Sequence, residues 1–464
     1  MNECTIVILG ATGDLAKRKL IPALYTLIKS KKLKNFALVG AALEDVSSKD
    51  MINAARKFIK DIDEDIWTCL QKHSFYQKLN FNEEKDFDRL YSIVNSAERE
   101  YGLSGNRLVY CAVSSDFFCE ITEALCSSKI IKACTKNLIP WNRIVYEKPF
   151  GRDLKSAHMI NECIAKLLYE HQIYRVDHYL TKELVSNIAL LRFTNCIFEP
   201  LWNNRYIDHV QIILSEKIGL EGRGYFYDKY GAIADVMQNH MFELLALVAM
   251  EMPKWLTGEY IRQERAAVLK NVRAVDICRG QFEGYLEDPG VGSDSATETF
   301  ALASLMVDNP RWTGVPFYLK TGKCLKQKKT VIYIKFKKIN CLLTQGCPLI
   351  SNYLTMEIAP EARFYLTLNV KKPGSLYDAV PVNMEFCHDA LSEEKIAESY
   401  EILLEEVIRG EQSISVRFDE IEYSWNVIDQ LNKLNSKLYT YKKGSDGPKE
   451  CEEFEHKYGM RWQL

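Results

Sequence analysis

The apolar run Thr5–Leu9 leads directly into Gly10-Ala11-Thr12-Gly13-Asp14-Leu15-Ala16. Glycines at such a place let the backbone turn sharply and approach a pyrophosphate, whose charge is favoured by the amides that open the next helix. The GxxGxxA spacing is looser than GxGxxG, and its weight comes from standing between a strand and a helix. His178, Tyr179 and Lys182 set an imidazole, a phenol and an ammonium on one short segment beside Asp177, a density of cationic and hydrogen-bonding groups that suits a phosphate ester. His240 carries the side chain best matched to taking a proton near neutral pH. Taken alone, a histidine on an apolar helical segment reads more readily as a core residue. The basic stretch from Lys323 to Lys329 reads, taken alone, as a solvated loop.

These groups need elements to position them. Strand-like runs at Thr5–Leu9, Phe36–Val39, Leu108–Val113 and Ile144–Glu147 alternate with helical patterns at Asp14–Lys29 and Glu84–Tyr101, a rhythm of βαβ units around a parallel sheet. After about Asp177 the character changes. Long amphipathic segments (Lys182–Leu191, Ala232–Met250) are followed by β-rich runs such as Thr330–Lys337 and Arg363–Val370, which predict a mixed or antiparallel sheet. Helical patterns return at Ala397–Ile408 and Asp419–Leu431, ahead of a polar loop at Lys442–Pro448. Two domains are expected, residues 1–176 for dinucleotide binding and 177–464 for the remainder, with function at the cleft where they join.

Composition narrows the class. The chain has 464 residues, of which 47% are hydrophobic and 26% charged, the profile of a folded globular protein. With 60 basic and 62 acidic residues the net charge is -2, which gives no general attraction to nucleic acid or anionic lipid. No apolar stretch is long enough to span a bilayer, and the N-terminal residues run into a strand-like segment without a signal-peptide pattern, so a cytoplasmic location is expected. The 14 cysteines stand singly, with no zinc-like spacing; they are expected to be reduced and mostly buried, and no metal is expected.

The stretch from Gly10 to Pro22 resembles the opening of glucose-6-phosphate dehydrogenases. Glu147-Lys-Pro-Phe-Gly151, Arg175-Val-Asp-His-Tyr-Leu-Thr-Lys-Glu183, Phe198-Glu-Pro-Leu-Trp202, Glu221-Gly-Arg-Gly224, Gln238-Asn-His240, Thr297-Glu-Thr-Phe300, Arg311-Trp-Thr-Gly-Val-Pro-Phe317 and Val407-Ile-Arg-Gly410 extend the resemblance, in order, over essentially the whole chain. It implies an α/β Rossmann-like N-terminal domain and a larger α+β domain with a mostly antiparallel sheet. It further implies oxidation of glucose 6-phosphate at C1 to 6-phosphoglucono-1,5-lactone, the first step of the oxidative pentose phosphate pathway. His240 matches the family's base and Asp177 the carboxylate that orients it. By the same resemblance Lys148, His178, Tyr179, Lys182, Glu216, Asp235, Lys323 and Lys328 serve the substrate. Gly10, Ala11, Thr12, Gly13, Asp14, Leu15, Glu44 and Lys148 serve the cofactor, Pro149 follows a cis peptide bond, and a homodimer or homotetramer is usual.

The chain departs from the family pattern at the end of the second strand. Where Gly-x-Ala-Arg is common, it reads Gly40-Ala41-Ala42-Leu43-Glu44-Asp45. Leucine supplies no charge for a 2′-phosphate, and an acidic residue suits a free ribose hydroxyl. The family habit favours NADP, NAD stays open, and Lys49 is a cation that could restore NADP binding. Ser114-Ser115, Thr181 and Lys320 also depart, without removing a group that the chemistry needs. A silent relative that only binds nucleotide or sugar phosphate, and a dehydrogenase of another anionic sugar, are the competing readings.

Overall fold

The computed structural model describes residues 3–136, 139–338, 349–375, 378–387 and 399–463. The chain forms two compact units. The first gathers Met1–Thr181, Trp255–Arg262 and Ala397–Glu422; the second gathers Lys182–Lys254, Gln263–Ile396 and Tyr423–Leu464.

The first unit is built on β1 (Glu3–Leu9), β2 (Asn35–Ala42), β3 (Ser74–Lys78), β4 (Arg107–Cys111), β5 (Asn142–Tyr146) and β6 (Ile173–Arg175). They lie in the order β3-β2-β1-β4-β5-β6, every neighbouring pair parallel. Successive strands start again from the same edge because helices carry the chain back, including Ile21–Lys29 and Glu84–Tyr101. Strands buried on both faces need apolar residues throughout, and β1 and β4 are buried almost end to end. Ile6, Ile8, Leu38, Leu108 and Val145 share a core with Leu24 and Tyr25 of the first helix, and with Leu403, Leu404, Val407 and Ile414 from far along the chain. This is the Rossmann-like domain that the sequence pattern implies, and its β2 runs past the expected Val39 to Ala42. Residues 14–29 are helical as expected, with a π-helical stretch at Ala16–Leu20.

The second unit holds β7 (Ile207–Ser215), β8 (Val272–Phe282), β9 (Phe300–Val307), β10 (Pro316–Gly322), β11 (Lys329–Phe336), β12 (Tyr353–Ala359), β13 (Arg363–Lys371), β14 (Ala379–Cys387) and β15 (Leu438–Tyr441). Their order is β14-β13-β12-β11-β7-β10-β9-β8-β15. The sheet is mostly antiparallel, with parallel pairs at β7/β10 and β8/β15. The segment expected to be amphipathic from Ala232 to Met250 is a π-helix over Ile233–Met241 continued by an α-helix over Phe242–Ala249. Every residue of the α-helical part is buried, Glu243 included, so it has no solvent face; an amphipathic reading fails because neighbours enclose it on all sides. The carboxylate of Glu243 meets Arg265 at 3.4 Å.

Helices also occupy Glu183–Thr194, Ser399–Arg409 and Phe418–Lys433; residues 397 and 398 of the expected Ala397–Ile408 helix lie outside the described residues. The twelve described cysteines are free thiols. Cys4, Cys111, Cys278, Cys324 and Cys451 are buried, Cys196 is exposed and the others are intermediate. The expectation that most are buried is thus corrected: several lie on half-exposed helix faces, where a small side chain needs no enclosure. Among the described residues, no helix is long and apolar enough to cross a membrane.

Candidate functional site

In the first unit the sequence-selected residues collect along one edge. Gly10 follows β1, Glu44 follows β2, Lys148 follows β5 and Asp177–Tyr179 follow β6, all beyond the carboxyl ends of parallel strands. Sheets of this kind bind ligands at that edge, where strand order reverses, here between β1 and β4. The turn itself is locally determined. Gly10 has φ +82°, and a Cβ on it would stand 2.5 Å from the carbonyl oxygen of Ala112 just after β4. The Gly10 and Ala11 amides donate to the Ala41 carbonyl at 2.8 and 3.2 Å, and the Gly13 amide donates to Gly10 O at 2.9 Å. Helix geometry leaves the opening amides from Asp14 onward without intrahelical acceptors, which is the donor set that a pyrophosphate needs. A dinucleotide therefore fits this loop.

Four further contacts shape the loop. The Thr12 hydroxyl donates to Glu44 Oε2 at 2.5 Å, and that bond is the chief reason the Glu44 carboxyl lies below its usual range. The Tyr76 hydroxyl donates to the Glu44 carbonyl at 2.6 Å. Arg18 donates to Asp14 at 2.8 Å and lies over the Phe58 ring.

At the far strands, the Lys148–Pro149 peptide bond is cis. Lys148 is half-buried beside Glu147, whose Oε1 accepts from the Tyr110 hydroxyl at 2.5 Å and from the Tyr400 hydroxyl at 3.3 Å. Burial raises the Glu147 carboxyl despite these bonds. Asp177 is 2% exposed, and its carboxylate accepts from the Tyr179 amide at 2.8 Å, a local turn-forming bond typical of aspartate. The His178 and Tyr179 rings lie 5.0 Å apart, and Thr181 bonds the His178 carbonyl at 2.9 Å. Burial raises the Tyr400 hydroxyl, and the charges of Glu147 and Asp177 add to it. Sequence reasoning did not select Tyr110 or Tyr400; isolated tyrosines carry no spacing signal.

In the second unit, Glu216 and Lys323 follow β7 and β10. Those strands run parallel with Ser215 opposite Gly322, so the two side chains emerge together, and Lys323 Nζ donates to Glu216 Oε2 at 2.5 Å. Lys323 is 2% exposed. Its ammonium lies 5.0 Å from the centre of the Tyr227 ring, and the Tyr441 hydroxyl donates to its carbonyl at 2.8 Å. Burial drives the Tyr227 hydroxyl well up, and the charges of Asp235 and Glu216 add to that. Asp235 and His240 share the π-helical segment five residues apart, one i→i+5 turn, so they project from the same side. His240 is 3% exposed. Gly231, at φ +67°, breaks the chain direction just before this segment, and the Ile233 amide is capped by Glu298 at 3.0 Å. Lys182 stands at the start of the Glu183–Thr194 helix. Lys328 is exposed on the connection between β10 and β11. The arrangement brings Glu216, Asp235 and Lys323 around Tyr227; Lys328 is not drawn into that cluster. Tyr227 and Tyr441 were missed by sequence reasoning for the same reason as Tyr110.

The family model described as "Glucose-6-phosphate dehydrogenase, NAD binding domain" matches residues 7–187, and "Glucose-6-phosphate dehydrogenase, C-terminal domain" matches residues 189–463. The glucose-6-phosphate 1-dehydrogenases of Chlamydia muridarum and Bacillus subtilis are each 37% identical to this chain over 99% of its length, covering 96% and 98% of the relatives. A solved glucose-6-phosphate dehydrogenase in complex with its substrate glucose-6-phosphate superimposes with a TM-score of 0.91 at 31% identity, covering 100% of this chain and 99% of that one. The glucose-6-phosphate 1-dehydrogenase of Mycobacterium avium gives 0.86 at 30% identity, covering 99% and 98%.

Proposed function

The chain belongs to the glucose-6-phosphate dehydrogenase family, and we propose that it oxidises glucose 6-phosphate at C1 to 6-phosphoglucono-1,5-lactone with His240 as the general base and Asp177 as its orienting carboxylate. It is an oxidoreductase with a nicotinamide-dinucleotide domain. The observation that carries the reading is the whole-chain likeness to a solved enzyme that holds glucose 6-phosphate.

When bound, the oxidised nicotinamide, NADP or NAD, supplies the hydride acceptor. His240 takes the proton of the C1 hydroxyl onto its imidazole, and the Asp177 carboxylate stabilises the cation so formed. His178, Tyr179 and Lys182 hold the phosphate through charge-assisted and hydroxyl hydrogen bonds. Glu216 and Asp235 accept from sugar hydroxyls, Lys323 and Lys328 add positive charge, and Lys148 serves substrate and dinucleotide alike. The loop at Gly10–Leu15 holds the pyrophosphate. Residues 1–176 serve the dinucleotide, and 177–464 serve the substrate, catalysis and assembly into a homodimer or homotetramer in the cytoplasm.

The test is the initial rate of reduced-nicotinamide formation from glucose 6-phosphate in the wild type and in His240→Asn. A loss of about 10²–10⁴ in kcat is expected, with glucose 6-phosphate binding by calorimetry retained. Retained turnover would remove His240 as the base. A wild type that binds the sugar phosphate without turning it over with either dinucleotide would favour a silent binding protein.

A further inference from the structure

The end of β2 carries an inference about which dinucleotide this chain takes. Glu44 is exposed, yet both ends of the residue are held. The Thr12 hydroxyl of the phosphate loop grips its carboxylate at 2.5 Å, and the Tyr76 hydroxyl of β3 grips its carbonyl at 2.6 Å. An ionised carboxylate has about four lone-pair sites and donates nothing. Fixed beside the loop at the end of the second strand, it is placed to accept from ribose hydroxyls and to repel a phosphate on the 2′ oxygen.

Two of the cations in this region are paired with other carboxylates. Arg18 is paired with Asp14 at 2.8 Å, and Lys78 with Asp45 at 3.4 Å. Leu43 is 59% exposed and uncharged, and Lys49 lies exposed on the Ser48–Asn53 helix. Lys17 is the cation whose charge bears on Glu44 itself, where it favours the ionised carboxylate.

We infer that this chain prefers NAD over NADP, with Glu44, locked by Thr12, as the residue that sets the preference. The inference rests on the proposed dehydrogenase reading for the dinucleotide's role, and binding measurements separate the two. Fluorescence titration of the wild type with NADH and with NADPH is expected to give a dissociation constant at least about tenfold lower for NADH, as repulsion between charges a few ångströms apart near a surface requires. Leu43→Arg combined with Glu44→Gln should close or reverse that ratio. Thr12→Val should weaken NADH binding, because it releases the carboxylate. Each variant alters exposed or half-exposed side chains, and a melting curve checks that it folds. NADPH bound as tightly as NADH by the wild type overturns the inference while leaving the dehydrogenase reading intact. A NADH preference without turnover of glucose 6-phosphate sinks that reading and keeps the inference.

Discussion

Glu216 and Lys323 stand 107 positions apart and meet at 2.5 Å because two strands run parallel in register. No periodicity carries that pairing; the family resemblance named the residues, while the geometry that joins them came only from the fold. The glycine loop was legible from sequence alone, since its cause is local. A different local pair gives a pH prediction. The His209 ring bonds the Asp208 carboxylate at 2.8 Å, and Lys335 lies 3.2 Å from it; the His209 bond chiefly lowers the carboxyl from its ordinary 3.8 to about 2, burial opposing it and Lys335 assisting. A carboxyl lowered by folding adds stability above its unfolded value and loses it as pH falls toward the folded one. Asp208→Asn should therefore cost up to about 1 kcal/mol above pH ~5, the side chain being 42% exposed and screened. The difference from wild type should vanish toward pH ~2 in urea melts. A difference independent of pH would mean that packing, not charge, is at work.

The segment bearing Asp235 and His240 was legible as helical, but its π geometry was not, because apolar spacing is nearly the same for both helix types over two turns. Its far end depends on distant side chains. The Trp202 indole donates to Val248 O at 2.8 Å, the Trp312 indole to Ala249 O at 2.7 Å, and the Arg192 guanidinium to the carbonyls of Val248 and Met250. Helix-terminal carbonyls lack intrahelical partners, and buried ones must find others. Trp312 is fully buried, so Trp312→Phe keeps most of the packing and removes the donor. It should lower stability by about 1–3 kcal/mol in a denaturant melt. Arg192 is 0% exposed and paired with Glu199 at 2.9 Å. Arg192→Met should cost a comparable amount, about 1–3 kcal/mol, because it removes the donor to the Met250 carbonyl, while Arg311 still holds Glu199 at 2.9 Å and Trp202 still holds the Val248 carbonyl. If Trp312→Phe melts with the wild type, the end of this helix is satisfied without the indole.

At the scale of the whole molecule, a linear reading divides the chain once, near residue 177, whereas the first unit also draws in Trp255–Arg262 and Ala397–Glu422. Hydrophobic periodicity marks Ala397–Ile408 as a helix and says nothing of which sheet it covers. Its apolar face goes to the first unit: Leu403, Leu404 and Val407, with Ile414 beyond the helix end, are buried in the core that holds β1, β2 and β4. Arg143 of β5 fixes the same helix by donating to the carbonyls of Val407 and Ile408 at 2.6 and 2.7 Å, and its guanidinium lies 4.1 Å from the centre of the Trp141 ring. Burying four such side chains is worth roughly 6–12 kcal/mol, as much as the whole stability of a typical domain. A fragment of residues 1–181 leaves that face of its core open. It should therefore melt without a cooperative transition and bind the hydrophobic dye ANS, although it contains the entire parallel sheet and the phosphate loop. Supplying residues 399–422 as a separate peptide should restore a cooperative melt. A fragment of residues 1–181 that unfolds cooperatively by itself would show that the late segment only decorates a finished core.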